Sequence, residues 1–354
     1  MDKFNITSTP GFAHELYSAQ ATLLVSTYQA GRVFIVSSLD GNTLDIMPVR
    51  FRKPMGISIR DNKLAIATLN RIEIYAKNDI IGKNAPFSFQ KYDDFYVPRI
   101  SYISGALDLH DIHLHSKGVF AINTQFNCIS SFSVDYNFTP RWAPTFIDSI
   151  VPEDRCHLNG MAVENDQPKY VTALGKGNAL NSWRDGITDK GIIIDVSKNK
   201  IVAEDLAMPH SPRIYNGDVY FLQSASGIIS RLNKTKGIIE NVGETEAFSR
   251  GLTKFNNLLA IGRSKARESS STFKKLPTHI RNKQAGIDLV DFNTGQIIER
   301  FHFGSIVDEI FDVQVLIGGR IGMYGLEGEH GYEPITTPQS SFWRKLNDEN
   351  ILPK

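Results

Sequence analysis

MGISIRDNKLAIAT, residues 55–68, holds a short apolar strand, a polar turn and a second apolar strand that ends in small residues. The same unit returns as HDIHLHSKGVFAINT (110–124), NGMAVENDQPKYVTAL (159–174) and HSPRIYNGDVYFLQS (210–224). It closes the series as RGLTKFNNLLAIGRS (250–264) and FDVQVLIGGRIGMYG (311–325). Aligned on Gly56, Asp111, Gly160, Ser211, Gly251 and Asp312, the six copies are spaced by 55, 49, 51, 40 and 61 residues. Such a period belongs to propeller blades of four strands each.

A second pattern lies between these copies. Alternating apolar residues flank a turn in VFIVSSLDGNTLDIM (33–47), RIEIYAKNDIIG (71–82) and ISSFSVDYNFTPRW (129–142). The pattern repeats in GIIIDVSKNKIVAE (191–204), IISRLNKTKGIIE (228–240) and IDLVDFNTGQIIERF (287–301). Period-two alternation around Asp-Gly, Lys-Asn, Lys-Gly and Thr-Gly marks β-hairpins. Six inner pairs and six outer hairpins predict an all-β, six-bladed β-propeller spanning residues 1–354 as one domain. The first outer hairpin precedes the first inner pair and none follows the last, so the N- and C-terminal strands are expected to complete one blade together. Both ATLLVSTY (21–28) and RIGMYG (320–325) fit its second strand, and the pattern leaves that choice open.

Composition narrows the function. The chain has 354 residues, with 39 Lys and Arg against 38 Asp and Glu, a formal charge of +1. That balance gives no footprint for nucleic acid or an anionic membrane surface. No apolar run reaches the ~18–20 residues of a membrane span. The start, MDKFNITSTPGFAHEL, lacks a secretory pattern, and two cysteines, Cys128 and Cys156, form no disulfide framework. A cytoplasmic protein is expected.

In a four-stranded blade, the start of the inner strand and the end of the second strand share one rim of the channel. The inner-strand starts carry His110, His157 and His210, with Asp111, Asn159, Arg250 and Asp312 beside them. The second-strand ends contribute Thr68, Asn70, Asn123 to Gln125, Lys176, Gln223, Ser224, Arg263 and Arg267. Three neutral imidazoles suit a divalent transition metal (Zn, Fe or Mn) with open positions for substrate. On this reading His110, His157 and His210 are ligands, and Asp111 or Asp312 is a base or orients an imidazole. Arg250, Arg263 and Arg267 clamp an anion, while Asn159, Gln125 and Gln223 contact substrate. The expected function is then a metal-dependent lyase, hydrolase or oxygenase acting on a small polar or anionic molecule, or a peptide, at the channel mouth.

Other readings stay open. The histidines also suit structural ties between blades, or a metal-free enzyme with histidine as acid or base. A non-catalytic scaffold binding a protein or glycan is the remaining alternative. SWRDG (182–186) is either a lid with Trp183 as its apolar wall or an anchored loop. Glu153, Asp154 and Arg155 read by default as an inter-blade salt bridge, and SKARES (264–269) as a basic loop or an anion site. G-x-S-x-G, a Walker loop and G-x-G-x-x-G after a strand are absent.

STYQAGRVFI (26–35), PEDRCHLNGMA (152–162), MPHSPR (208–213) and SRGL (249–252) resemble an uncharacterised family of bacterial conserved hypothetical proteins. The resemblance implies a β-propeller and a bacterial origin, and it carries no assigned activity.

Overall fold

In this computed structural model, residues 5–78, 80–86, 89–265, 274, 276–281, 283–326 and 331–346 are described. Six antiparallel sheets stand around an axis. Blade I runs outward from Asp312–Ile317 through Ala21–Thr27 and Arg32–Ser38 to Leu44–Arg50. Blade II comprises Ile57–Arg60, Lys63–Ala67, Arg71–Ala76 and Asp94–Ile103. Blade III is Leu109–His115, Gly118–Asn123, Cys128–Ser131 and Thr139–Trp142. Blade IV is Leu158–Glu164, Gln167–Ala173, Gly191–Asp195 and Lys200–Leu206. Blade V is Pro209–Tyr215, Asp218–Gln223, Ile228–Asn233 and Ile238–Glu244. Blade VI is Phe248–Phe255, Leu258–Ser264, Gly286–Asp291 and Ile297–His302. Each innermost strand touches the next around the ring, and that of blade I touches those of blades II and VI.

The inner hairpins follow from their turns. Asn165 and Asp166 have φ of +52° and +63°, and Asn216 and Gly217 have +50° and +85°. Two left-handed residues in succession make the tight turn whose twist matches the strands. The core lies between neighbouring sheets. Leu24, Val33, Ile35, Ile66 and Tyr75, all nearly fully buried, fill the wedge between blades I and II.

The closing strand is Ala21–Thr27, which pairs in register with Asp312–Ile317 from Ala21↔Ile317 to Ser26↔Asp312. RIGMYG takes another place: Ile321–Met323 pairs in parallel with Asp94–Tyr96 and adds a fifth strand to blade II. A one-residue cause is visible at Gly322, where a Cβ would lie 2.4 Å from the Phe95 ring. Thr7–Ser8 covers the outer strand of blade VI in the same way. Both additions hide edges that invite non-native pairing. The expected outer hairpin of blade II is also corrected. Its fourth strand is Asp94–Ile103, and residues 80–86 form turns outside the sheet. A C-terminal hairpin, Tyr332–Thr336 with Ser341–Lys345, lies against these turns, with Trp343 donating to the Ile81 carbonyl at 3.1 Å.

The aligned positions alternate around the ring. Asp111, Ser211 and Asp312 each accept a backbone N–H from the next inner strand, those of Met161 (3.0 Å), Gly251 (2.9 Å) and Ile57 (2.9 Å). The intervening positions are Gly56, Gly160 and Gly251. A Cβ there would come within 2.9 Å of Asp111 Cα, 2.4 Å of Pro212 Cδ and 2.4 Å of Val313 N respectively. Acceptor and glycine alternate, so the ring is three pairs of blades as well as six blades.

Candidate functional site

The inner strands do not enter the channel mouth as regular strands. Their pairing slips at His110–Asp111, Asn159, Ser211–Pro212 and Gly251, in blades III to VI. Such bulges re-aim side chains and recur beside functional sites. Met55, His110, Asn159, His210, Arg250 and Phe311 occupy one equivalent position in the six inner strands. His110 and Phe311, from blades with another between them, bring their rings to 5.1 Å, so both reach toward the axis.

His110 and His210 are held alike. His110 Nδ1 lies 3.1 Å from the Asp108 carbonyl and 2.7 Å from Thr124 Oγ1. His210 Nδ1 lies 2.9 Å from the Met208 carbonyl and 2.9 Å from Ser224 Oγ. Thr124 and Ser224 donate their own protons to the carbonyls of Leu158 and Ser249 in the next blade, both at 2.6 Å. Each Nδ1 therefore carries the proton, and each Nε2 is left as an acceptor. Asp108 and Met208 hold these carbonyls in place at φ of +49° and +54°, which costs backbone strain in any residue but glycine. In blade I, Ser26 donates in the same way to the Met55 carbonyl at 2.6 Å, and the ring position is Phe311. Burial, reinforced by His157 and Arg250, lowers the His110 pKa well below the ordinary imidazole value. Burial and then Arg250 do the same for His210. Both rings are neutral at pH 7.

His157 adds a different arrangement. Its Nδ1 donates to Asp154 Oδ2 at 2.7 Å, and Trp183 Nε1 donates to that same oxygen at 3.0 Å. Its ring lies over Trp183 at 4.2 Å and meets His110 edge-on at 4.8 Å. His157 has φ of +52°, so backbone strain falls on the residue that carries this imidazole. The Arg250 guanidinium lies 5.3 Å from the Phe248 ring and 5.2 Å from Phe311, with Glu309 at 3.4 Å. The mouth thus gathers His110, His157 and Arg250 with three aromatic walls, and His210, whose Nε2 has no partner among the described residues.

The remaining expected residues go elsewhere. His110, His157 and His210 do not form a common ligand set: among the described residues no three His, Cys, Asp or Glu side chains are grouped to hold a metal ion. Among the described residues Asp111 and Asp312 make no bond to an imidazole. Besides their backbone ties, Asp111 Oδ2 takes Arg213 at 2.8 Å, and Asp312 Oδ1 lies 3.6 Å from the same guanidinium. Asp111 lines a cavity of about 400 Å3 further along the channel, with His113, Met161, Arg213 and Gln314. Arg263 is no anion clamp. It is buried in blade VI, bound to Asp288 at 2.6 Å and to the carbonyl of Gln284 at 2.8 Å. Gln223 is turned into its own blade, accepting from Ala207 N and donating to Ser230, so both ends of its amide are used. Gln125 braces the site indirectly by donating to the Asp108 carboxylate at 2.9 Å. Asn159 accepts from Thr172 at 2.6 Å through Oδ1. Arg267 and most of SKARES lie outside the described residues.

Sequence reasoning missed Asp154. The Glu153–Asp154–Arg155 run reads by default as an inter-blade salt bridge, but Arg155 pairs with Asp148 and Glu153 inside the same connecting loop, and Asp154 is given to His157 instead. The usable signal was the spacing of Asp154 and His157, three apart in a loop between strands. SWRDG is a 3-10 helix whose Trp183 is an anchor to Asp154 and a wall against His157.

Six four-stranded sheets closed by strands from both ends, with a polar mouth on the axis, define a six-bladed β-propeller. Residues 10–324 match the family described as "Domain of unknown function (DUF4915)", and the chain belongs to that family. Among solved structures it is similar to the "Crystal structure of Nidogen/Laminin Complex", at 12% identity and a TM-score of 0.54. That match covers 84% of this chain and 99% of the other, and it speaks for the fold alone. No curated protein matches the chain.

Proposed function

We propose that this protein is an enzyme that works on a small polar, anionic substrate at the channel mouth, with His157 as its acid–base residue. The observation that carries this reading is the 2.7 Å bond between His157 Nδ1 and Asp154. A carboxylate on Nδ1 fixes the tautomer, leaves Nε2 to take a proton from substrate or water, and stabilises the imidazolium that forms. His110 beside it is held neutral, so it accepts or relays without adding positive charge. Arg250 is the cation for the substrate's anionic group. Trp183 excludes water from one side of the His157 ring.

A second reading keeps the metal. With all three Nδ1 atoms engaged, only the Nε2 atoms of His110, His157 and His210 are left as donors. A divalent transition metal would have to draw together three rings that are not grouped as a ligand set among the described residues. One experiment separates the two. Chelator-treated protein is incubated with small esters, lactones and hydroxy acids, and their consumption is followed by NMR. Turnover that survives the chelator and falls by about a hundredfold or more in His157→Gln supports acid–base catalysis. Turnover that vanishes with the chelator and returns with zinc, iron or manganese supports the metal instead. A probe that binds without turnover at any metal load overturns both in favour of a binding scaffold.

A further inference from the structure

Three consecutive inner strands present different hydrogen-bonding characters at one level of the ring. His210 is 3% exposed, and its Nε2 has no hydrogen-bond partner among the described residues. Its Nδ1 is engaged by the Met208 carbonyl and the Ser224 hydroxyl, so Nε2 is the ring nitrogen left for a ligand. Asn159, at the equivalent position of the preceding strand, is 4% exposed; its Oδ1 is used by Thr172 and its Nδ2 has no partner. Arg250 holds the equivalent position of the following strand. A buried acceptor without a donor, and a buried donor without an acceptor, each destabilise the molecule unless something fills the gap.

We propose that the mouth selects hydroxy-carboxylates, with the ligand's hydroxyl placed between Asn159 and His210 and its carboxylate against Arg250. One hydroxyl meets both needs at once. Its oxygen accepts the Asn159 N–H while its proton is donated to His210 Nε2. A ligand carboxylate would share the Arg250 guanidinium with Glu309, which already lies 3.4 Å from Nη1. The same carbon skeleton without the hydroxyl leaves both protein groups unpaired, and that is the basis of rejection. His210 thereby sets specificity rather than carrying out chemistry. The inference rests on the proposed site but not on its catalysis.

The test is binding by titration calorimetry of lactate against propionate, and of malate against succinate. The hydroxy acid of each pair is expected to bind roughly ten- to a hundredfold more tightly than its partner. His157→Gln, which removes the acid–base group, should keep that ratio. His210→Phe should bring it close to one while leaving the affinity for propionate or succinate within about threefold. Asn159→Ala, a smaller change, should lower the ratio without abolishing it. Equal binding within each pair, a ratio that survives His210→Phe, or no binding of any probe at millimolar concentration overturns the proposal and leaves the two groups to ordered water. Loss of turnover with the ratio intact would instead overturn only the catalytic reading.

Discussion

His110 and His210 stand one hundred residues apart and are held by the same pair of bonds, a carbonyl two residues upstream and a hydroxyl fourteen residues downstream. The hydroxyl in each case reaches the next blade, so the orientation of each imidazole is set by the closure of the ring. The tautomer of these rings is therefore a readout of blade assembly.

That tautomer is directly measurable. Nitrogen-15 NMR of the wild type at neutral pH should find the proton on Nδ1 in His110, His157 and His210. Asp154→Ala should release His157 alone, since His110 and His210 draw on other partners. A proton on Nε2 in His210 would remove the acceptor on which selectivity depends.

Stability should fall as the solution is acidified below pH ~6.5. Burial holds the folded-state pKa values of His110 and His210 below the unfolded value, so the unfolded chain binds protons first. Each histidine contributes up to about 1.4 kcal/mol of lost stability per pH unit below that point. Asp312 acts in the opposite sense. Burial raises its folded pKa, so its ionisation destabilises the fold as pH rises from about 4. With two groups against one, urea midpoints should drop between pH 7 and 5, and His210→Phe should flatten the slope.

The alternating ties around the ring are unequal in cost. Ser211→Ala removes one neutral acceptor and should cost about 1 kcal/mol. Asp111→Ala also strips Arg213 of its closest carboxylate inside the channel, and about 3–5 kcal/mol is expected. Asp111 and Asp312 both hold Arg213 strongly protonated against its burial, so it cannot escape by losing its charge. Urea unfolding of the two single variants measures the difference.

Gly251 and Gly217 separate conformation from crowding. Both are left-handed, with φ of +77° and +85°. A Cβ at Gly217 would meet nothing within 4 Å, while one at Gly251 would press on Val313 N at 2.4 Å. Gly217→Ala should cost about 1–2 kcal/mol from backbone strain alone. Gly251→Ala should cost several kcal/mol, because the inner strand of blade I must move. Thermal midpoints of the two variants rank them.

Much of this architecture was legible before any coordinates. Five of the six inner pairs were plain because two apolar strands around a polar turn recur in each, whereas in the copy at 311–325 only Asp312–Ile317 stays in its blade. His110, His157 and His210 share one phase of that repeat. The closing strand was not legible, since ATLLVSTY and RIGMYG alternate equally well, and a glycine that lets Ile321–Met323 lie against Phe95 has no signature in a period-two pattern. Arg263 and Gln223 were misplaced for another reason. The end of a strand has two faces, and the pattern did not say that the carboxylate of Asp288 and the hydroxyl of Ser230 wait on the inner one. Asp154 was missed because a loop residue in a left-handed neighbourhood has no periodicity to betray its direction.

The pairing of Ala21–Thr27 with Asp312–Ile317 also governs how the chain is made. Roughly 285 residues separate the two strands, so at about 5–20 residues per second the earlier one is exposed on the ribosome for some tens of seconds. Its seven residues are all buried in the finished molecule, and its centre, Leu23–Leu24–Val25, is an apolar run of the kind that pairs wrongly while exposed. Closure of blade I is therefore a long-range zippering that can begin only after translation has passed residue 317.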